Sequence, residues 1–206
     1  MASPFSAYLP LADGAVELSW SSEGRVLGLG WLADPRIRPD FGSQQLTLVP
    51  WGIEKILDEL KRYLETGTPM SEVPWDLLDQ SEWSDFQRQV YQATTKIPHG
   101  QTRTYGWVAN RVQKPSAGRA VGQALRHNPV AILIPCHRVV STSTLGGFMG
   151  CGSDAGEDTP ELKLKKKLLS LEEEFLNPIF PFLLGGGDSQ GLAFDLGVGA
   201  SAWATG

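Results

Sequence analysis

The sequence predicts an α+β protein: a small N-terminal α/β domain, made of a hairpin plus a helix, precedes a mostly helical C-terminal domain with a helix-turn-helix. Three observations predict this fold class. Apolar and polar residues alternate on both sides of a turn within residues 15–32. An apolar stripe with helical period follows at residues 53–64. Two short segments with helix-start signals, separated by a tight break, occupy residues 104–127.

The composition is that of a globular protein, with 41% apolar and 20% charged residues. Two cysteines fifteen positions apart make no disulfide framework, so a reducing compartment is expected. Three histidines without a Cys-x-x-Cys or His-x-x-x-His pair offer no zinc cage, and no metal or other cofactor is expected. The first residues show no basic segment followed by an apolar run, and no apolar span reaches membrane length. The protein is therefore expected to be soluble and intracellular, in the cytoplasm, nucleoid or nucleus, without membrane partners.

The net charge of −5 conceals an uneven distribution. Residues 1–81 carry six basic and twelve acidic side chains, whereas residues 82–140 carry eight basic and two acidic ones. A local basic zone is what phosphate binding requires, whatever the total charge. A solvated basic face explains the same distribution equally well, so charge alone leaves nucleic-acid binding as one of two interpretations.

The N-terminal domain is predicted to comprise residues 1–75. Residues 16–20 alternate, residues 21–24 have turn chemistry, and residues 26–29 resume the strand. Residues 33–45 contain Pro, Asp and Gly, which indicates a loop. The apolar stripe of the helix that follows comprises Ile53, Ile56, Leu57, Leu60, Tyr63 and Leu64. This domain shows no nucleophile, metal site or phosphate-binding loop, and its role beyond packing does not follow from the sequence.

The C-terminal domain is predicted to comprise residues 81–184. Ser84, with a glutamine three residues later, has the form of a capping box at the start of its first helix. Thr104 can cap a short second helix, and Ser116 can cap a third that ends near His127. A glycine-rich tail follows at residues 185–206; we expect it to be flexible and assign it no function.

The third of these helices has a polar face and an apolar face. Arg119, Gln123 and Arg126 project from the polar face, and the opposite face can pack on the core. Gly118 and Gly122 each cost about 1 kcal/mol relative to alanine in a helix, but glycine allows another molecule to approach the backbone closely. The helix therefore fits one that lies on nucleic acid with an arginine aimed into it. The alternative is a surface helix with solvated arginines.

A short apolar run at residues 130–134 leads into Cys136 and His137. A thiol attacks as its thiolate, and a nearby cation or imidazole raises the thiolate fraction. Taken alone, this pair is weak evidence for a nucleophile, because a buried and inert cysteine is common.

A glycine-rich loop at residues 145–150 is either plain turn chemistry or a wall whose amides approach a flat ligand. A last helix is predicted with the lysines of residues 165–167 directed outward and Glu172 near its end.

Four blocks of the C-terminal domain resemble the O6-alkylguanine-DNA alkyltransferases, also called methylated-DNA–protein-cysteine methyltransferases. The resemblance extends from about Ser84 to Glu172, while the N-terminal domain shares only the hairpin-then-helix layout. The block around Cys136 is highly specific when an Arg-Ala-Val-Gly helix precedes it by this distance. The four blocks are Phe86-Gln87-Arg88-Gln89-Val90, Arg119-Ala120-Val121-Gly122, Arg126-His127-Asn128-Pro129 and Ile134-Pro135-Cys136-His137-Arg138-Val139.

The resemblance implies a protein that rotates a damaged guanine out of duplex DNA and transfers its O6-alkyl group, once, to a cysteine. By position, Cys136 would accept the alkyl group, and His137 would take its proton through a water. Glu172 would orient His137, and Asn128 matches the family's hinge asparagine. The expected partner is double-stranded DNA that contains alkylated bases, and the protein is expected to act as a monomer.

The resemblance also implies residues that bind DNA and substrate. Arg119 would fill the gap left in the base stack, and Tyr105 would help to rotate the nucleotide and donate to the base. The carbonyls of Cys136 and Val139 would accept from the guanine amino group, and the N–H of Met149 would donate to O6. The predicted binding set is Tyr105, Arg119, Gln123, Arg126, Arg138, Val139, Phe148 and Met149.

This chain departs from the family's pattern in four respects. Met149 stands where the family usually has a small residue, and its bulk is expected to narrow the pocket. The segment of residues 151–162 is longer and more acidic than usual, which makes the alignment of Glu172 less secure than that of Cys136. A proline common near Ala131 is missing, and the N-terminal domain lacks the zinc ligands of some members.

Two rival interpretations remain. A non-catalytic sensor of alkylation damage could use the same scaffold, but such relatives carry tryptophan at the position of Cys136. A helix-turn-helix regulator without chemistry leaves the Pro-Cys-His-Arg block unexplained. The range of alkyl groups accepted and any activity on O4-alkylthymine do not follow from the sequence.

Overall fold

The computed structural model describes residues 5–33, 49–151 and 159–177. The predicted acidic segment and the loop after the hairpin lie largely outside these residues, and the glycine-rich tail lies wholly outside them. The elements that position the site are three N-terminal strands, five helices and a pair of short strands. In chain order they are β1 (Phe5–Leu11), β2 (Gly14–Trp20), β3 (Val26–Leu32), α1 (Trp51–Thr66), α2 (Asp85–Thr94), β4 (Arg103–Thr104), α3 (Tyr105–Arg111), α4 (Gly118–Arg126), β5 (Val139–Val140) and α5 (Pro160–Leu176).

The N-terminal sheet is antiparallel with the order β1-β2-β3, so the predicted hairpin corresponds to β2 and β3. Strand β1 was not predicted; it pairs with β2 from Phe5↔Trp20 to Leu11↔Gly14. Most of its side chains are exposed or half-buried, so it lacks a clean apolar alternation. Its Pro10 is tolerated because an edge strand leaves some N–H groups unpaired.

Helix α1 packs against the sheet and against α5 through the stripe predicted from its period. Full burial of a leucine or isoleucine contributes about 1.5–3 kcal/mol. Leu57 is only half-buried, at the edge of this stripe. The helix ends at Gly67, whose φ of 70° is left-handed, and a Cβ there would clash with the carbonyl oxygen of Leu171. Glycine therefore allows α1 and α5 to approach closely.

Helices α2, α3 and α4 pack against one another and form the predicted helix-turn-helix. The capping box of Ser84 is present: the Ser84 side chain accepts from the N–H of Gln87, and the Gln87 side chain accepts from the N–H of Ser84. Thr104 accepts from the N–H of Trp107 and caps α3. The cap predicted at Ser116 is wrong: α4 begins after Ala117, without a side-chain cap.

The chain that leaves α4 connects the helices to the sheet and then to the thiol. The N–H of Leu29 in β3 donates to the carbonyl of Pro129 at 2.7 Å. Residues 130–134 are buried, as predicted. Cys136–Arg138 form a 3₁₀ turn, and β5, which follows directly, pairs in parallel with β4. Cys136 thus lies between the end of the helix-turn-helix and a short two-stranded sheet.

Helix α5 begins after Thr159, whose side chain accepts from the N–H of Leu162, with Pro160 in its first turn. The expectation that all three lysines of residues 165–167 face outward is wrong for Lys165, which is fully buried. Lys165 shares a face with Leu168 and Glu172, at helical spacings of three and seven residues. The buried apolar side chains of the described residues form one contiguous cluster across both predicted domains.

Among the described residues, no helix is both long and apolar enough to cross a membrane.

Candidate active site

Cys136 opens the 3₁₀ turn, and its side chain is buried, with 4% relative exposure. The Asn128 side-chain amide donates to Sγ at 3.3 Å and to the carbonyl of Ile134 at 3.0 Å. The Oδ1 atom of Asn128 accepts from the N–H of Val130, so Asn128 links the end of α4 to the thiol. Burial raises the pKa of the Cys136 thiol, and the Asn128 hydrogen bond opposes this only in part. A thiol in this position needs a base before it can attack.

His137 is fully buried, and its Nε2 lies 2.9 Å from Oε1 of Glu172. Because an ionised carboxylate only accepts hydrogen bonds, the proton of the neutral ring belongs on Nε2. The other ring nitrogen, Nδ1, is buried and has no hydrogen-bond partner among the described residues. Burial lowers the pKa of His137, although Glu172 opposes this shift. The ring is therefore neutral at neutral pH and holds an unused lone pair on Nδ1.

Glu172 is fully buried in α5 and surrounded by donors. Arg138 donates to Oε1 from Nη2 at 2.9 Å and to both oxygens from Nε at 3.1 Å. The backbone N–H of Gly100 donates to Oε2 at 2.8 Å. Burial would raise the pKa of the Glu172 carboxyl, but hydrogen bonds from His137 and Arg138, together with the positive charge of Arg138, hold it well below its usual range. The carboxylate stays ionised and can orient the His137 ring.

Tyr105 opens α3 and lies against the glycine-rich loop, where its hydroxyl is 3.5 Å from the carbonyl of Gly147. A Cβ on Gly146 would lie 2.7 Å from that hydroxyl, so glycine is required for this approach. Burial raises the pKa of Tyr105, which keeps the hydroxyl protonated. Tyr105 is thus a neutral donor at the edge of the loop.

Arg119, Gln123 and Arg126 are exposed on α4, on the face opposite its buried residues. The structure therefore places the predicted polar face toward solvent. Arg138 lies elsewhere: its guanidinium is bound to Glu172 and to the carbonyl of Ile97 rather than exposed with the α4 arginines.

The remaining predicted binding residues are Val139, Phe148 and Met149. Val139 is buried, and its carbonyl already accepts from Nζ of Lys165 at 2.7 Å. The Phe148 ring meets the His137 ring edge-on, with 6.4 Å between centroids. Met149 is half-buried and has φ of 45°, a left-handed conformation that costs a non-glycine residue energy.

Two functional candidates escaped the sequence analysis. Tyr63 was predicted only as part of an apolar stripe, yet its hydroxyl reaches Glu172 at 2.9 Å. Lys165 donates to the carbonyls of Val139, Leu145 and Gly147, and burial lowers its pKa to about 8. The helical period of α5 places Lys165 on the buried face, and this signal could have identified it.

Within the part of the chain that the structure describes, no cluster of three or more His, Cys, Asp or Glu side chains could hold a metal ion.

Comparisons with known proteins find relatives that match the C-terminal half of the chain. Residues 85–174 match the family described as "6-O-methylguanine DNA methyltransferase, DNA binding domain". The methylated-DNA–protein-cysteine methyltransferase of Mycobacterium bovis is 38% identical over 117 residues, which are 57% of this chain and 67% of that protein. The protein of the same name from Methanosarcina barkeri is 41% identical over 123 residues, 60% of this chain and 72% of that protein.

Solved structures extend the likeness beyond the C-terminal half. Mycobacterium tuberculosis OGT in complex with DNA has a TM-score of 0.60 at 30% identity, covering 82% of this chain and 92% of that one. Mycobacterium tuberculosis O6-methylguanine methyltransferase has a TM-score of 0.60 at 28% identity, covering 84% of this chain and 94% of that one. These similarities confirm the predicted α+β fold class.

Proposed function

This chain belongs to the methylated-DNA–protein-cysteine methyltransferase family, as its sequence motifs predicted, and we propose that it repairs O6-alkylguanine in double-stranded DNA by transferring the alkyl group to Cys136. One observation carries the proposal: a buried thiol directly precedes a histidine whose Nε2 is held by a buried carboxylate and whose Nδ1 has no partner among the described residues. That arrangement supplies a nucleophile and a base in the same buried place.

In the proposed reaction, Nδ1 of His137 removes the thiol proton of Cys136 through one bridging water. The sulfur lone pair forms a bond to the alkyl carbon as the bond between that carbon and O6 breaks, and O6 keeps the electron pair. The guanine takes up a proton as it leaves, and the protonated Tyr105 hydroxyl is the donor proposed for this step. Solvent then carries the proton from His137 to the Tyr105 oxygen, so the net change is alkylguanine plus thiol to guanine plus thioether. The protein acts once, because the thioether is not cleaved.

Because the thiol is buried in the protein, the alkylated guanine must leave the duplex to reach it. Taking a nucleobase out of the stack costs a few kcal/mol, least for a damaged one. The exposed face of α4 would lie on the duplex, with Arg119 filling the space that the base leaves. Lysine and arginine contacts to phosphates would supply much of the affinity, and that part is expected to weaken with salt.

Intact mass measurement after incubation with duplex DNA containing O6-methylguanine tests the proposal. The expected result is a gain of one methyl group per protein, with none gained by the Cys136→Ser variant. Binding of the lesion DNA without a mass change would contradict alkyl transfer and favour the damage sensor.

A further inference from the structure

Tyr63 brings a polar group from the N-terminal part of the chain into the candidate site. It lies in α1, its side chain is 1% exposed, and the stripe around it is otherwise apolar. Its hydroxyl donates to Oε1 of Glu172 at 2.9 Å and lies 3.1 Å from Nε2 of His137. The three side chains come from three distant segments of the chain and meet at one carboxylate oxygen.

The positions of these atoms determine where the protons lie. Arg138 pairs with Glu172 at 2.9 Å, so Oε1 belongs to an ionised carboxylate and can only accept. The Tyr63 hydroxyl directs its proton to Oε1, which leaves an oxygen lone pair facing Nε2 of His137. If Nε2 had no proton, its own lone pair would face two acceptors at about hydrogen-bond distance. A proton on Nε2 satisfies both contacts at once.

We propose that Tyr63 is a positioning residue for alkyl transfer: with Glu172 it fixes His137 in the tautomer protonated on Nε2, which leaves Nδ1 to accept the thiol proton. The role in transfer rests on the proposed function, whereas the tautomer can be measured without it. The N-terminal part of the chain then does more than pack, because Tyr63 of α1 holds His137, the catalytic base, in the tautomer that can accept the thiol proton.

The charged surroundings favour a neutral tyrosine that donates. Burial raises the pKa of Tyr63 well above its usual value, and the Glu172 charge raises it further, while Arg138 lowers it in part. His99 from the loop after α2 meets the Tyr63 ring edge-on. In addition to burial, the positive charge of Lys165 in α5 lowers the pKa of His137. Burial lowers the pKa of His99, so that ring is also neutral at neutral pH.

The first measurement is the single-turnover rate on saturating duplex DNA that contains O6-methylguanine. Tyr63→Phe keeps the ring and removes only the hydroxyl. Loss of a hydrogen bond that orients a reacting group typically costs about 10- to 100-fold in activity, and a loss of that size is expected here. The dissociation constant for the lesion DNA is expected to change by less than about two-fold, since Tyr63 lies inside the protein.

The second measurement is the tautomer of His137, read from ring nitrogen chemical shifts of protein labelled with 15N-histidine. Wild type is expected to show a protonated Nε2 and an unprotonated Nδ1, and Tyr63→Phe a mixture of both tautomers. The matched control is Leu60→Val, which changes a fully buried residue one turn earlier in α1. It is expected to lower the thermal midpoint and to leave the transfer rate and the tautomer unchanged.

Wild-type transfer rate and an unchanged tautomer in Tyr63→Phe would reduce Tyr63 to a packing group and overturn the inference. If Tyr63→Phe does not fold, the wild-type spectrum decides, because the proposal requires protonated Nε2 and a slowly exchanging Tyr63 hydroxyl proton near the His137 ring. Failure of the proposed function looks different: wild type would gain no methyl group while the tautomer result still stands.

Discussion

Cys136 and Cys151 lie fifteen positions apart on the two sides of the glycine-rich loop, in contrasting surroundings. Cys136 is buried, accepts a hydrogen bond from Asn128, and precedes the histidine of the buried pair. Cys151 is half-buried, exchanges backbone hydrogen bonds with Phe148, and has its sulfur 3.3 Å from the hydroxyl of Thr159. Neither forms a disulfide.

The proposed function therefore assigns the reaction to the less exposed of the two thiols. A small reagent in solution reaches Cys151 more readily than Cys136. Burial raises the pKa of Cys136, so this thiol is inert unless its proton has a place to go. Nδ1 of His137, which has no hydrogen-bond partner within the described ranges, is the place that we propose for this proton. Modification of Cys151 by iodoacetamide is therefore an internal reference for experiments on Cys136.

Among the substitutions, Glu172→Gln is expected to change the reaction of Cys136 most, relative to that of Cys151. Without the carboxylate, His137 loses the partner that orients it and that would stabilise its protonated form. By analogy with other residues that orient a catalytic histidine, transfer to Cys136 is expected to slow by about 100-fold or more. Intact mass measurements on samples quenched at set times give this rate. The rate of iodoacetamide modification of Cys151 should stay unchanged.

The control is Glu173→Gln, the exposed neighbour in α5. It makes the same chemical change and is expected to leave both cysteines as in wild type. Equal rates for Glu172→Gln and Glu173→Gln would remove Glu172 from the account.

A smaller effect is expected from Lys165→Met, which removes the ammonium that three carbonyls accept from. A buried acceptor left without its donor costs about 1–3 kcal/mol, and the free energy of unfolding from urea titration should fall by an amount in that range. Lys166→Met, at the exposed next position, is expected to change it by less than about 0.5 kcal/mol. The opposite ranking of the two variants would mean that Lys165 does not hold the loop.

Arg119→Ala separates the delivery of the base from the chemistry at the thiol. Repair in duplex DNA is expected to slow by about ten-fold, since unstacking costs a few kcal/mol and the side chain would offset part of it. Reaction with free O6-benzylguanine, which needs no extrusion, is expected to stay within about two-fold. Equal losses on both substrates would exclude the role proposed for Arg119.

The smallest effect is expected from pH. In the reactive state, Cys136 and His137 together hold one exchangeable proton besides the one on Nε2. It lies either on the thiol or on Nδ1 of the ring. Burial lowers the pKa of His137 and raises that of Cys136, so the pair keeps one proton across the neutral range. The transfer rate is expected to vary by less than about two-fold between pH 6.5 and 8. A lone thiol below its pKa slows by about ten-fold per pH unit, and that behaviour at Cys136 would contradict a shared proton.

The free energy of unfolding, unlike the transfer rate, is expected to depend on pH. A folded-state pKa of His137 below its unfolded value means that the unfolded chain binds the extra proton, so stability falls as pH drops below about 6.5. The lowered pKa of Glu172 adds a further loss as pH falls below about 4.5. Thermal midpoints across this range measure both.

Local signals predicted the elements that depend on nearby residues. The caps at Ser84 and Thr104 and the two faces of α4 follow from bonds and spacings within a few positions, and the structure confirms them. The sequence also indicated Cys136 and His137, which the structure brings into one buried cluster with Asn128 and Glu172.

The features that were missed depend on distant partners. The hydroxyl of Tyr63 meets Glu172 across 109 positions, and no local pattern distinguishes it from a core tyrosine. The helical period of α5 places Lys165 on the buried face, but its acceptors lie in a strand and a loop that precede it by 18 to 26 positions and could not be predicted. Edge strand β1 is too exposed to show an alternating pattern.

The most direct test locates the transferred group. After reaction with duplex DNA containing O6-methylguanine, the protein is digested and the peptides with Cys136 and Cys151 are compared by mass. The account predicts one methyl group on the Cys136 peptide, none on the Cys151 peptide, and the same result in the Cys151→Ser variant. A methyl group on Cys151, or on neither peptide, would contradict it.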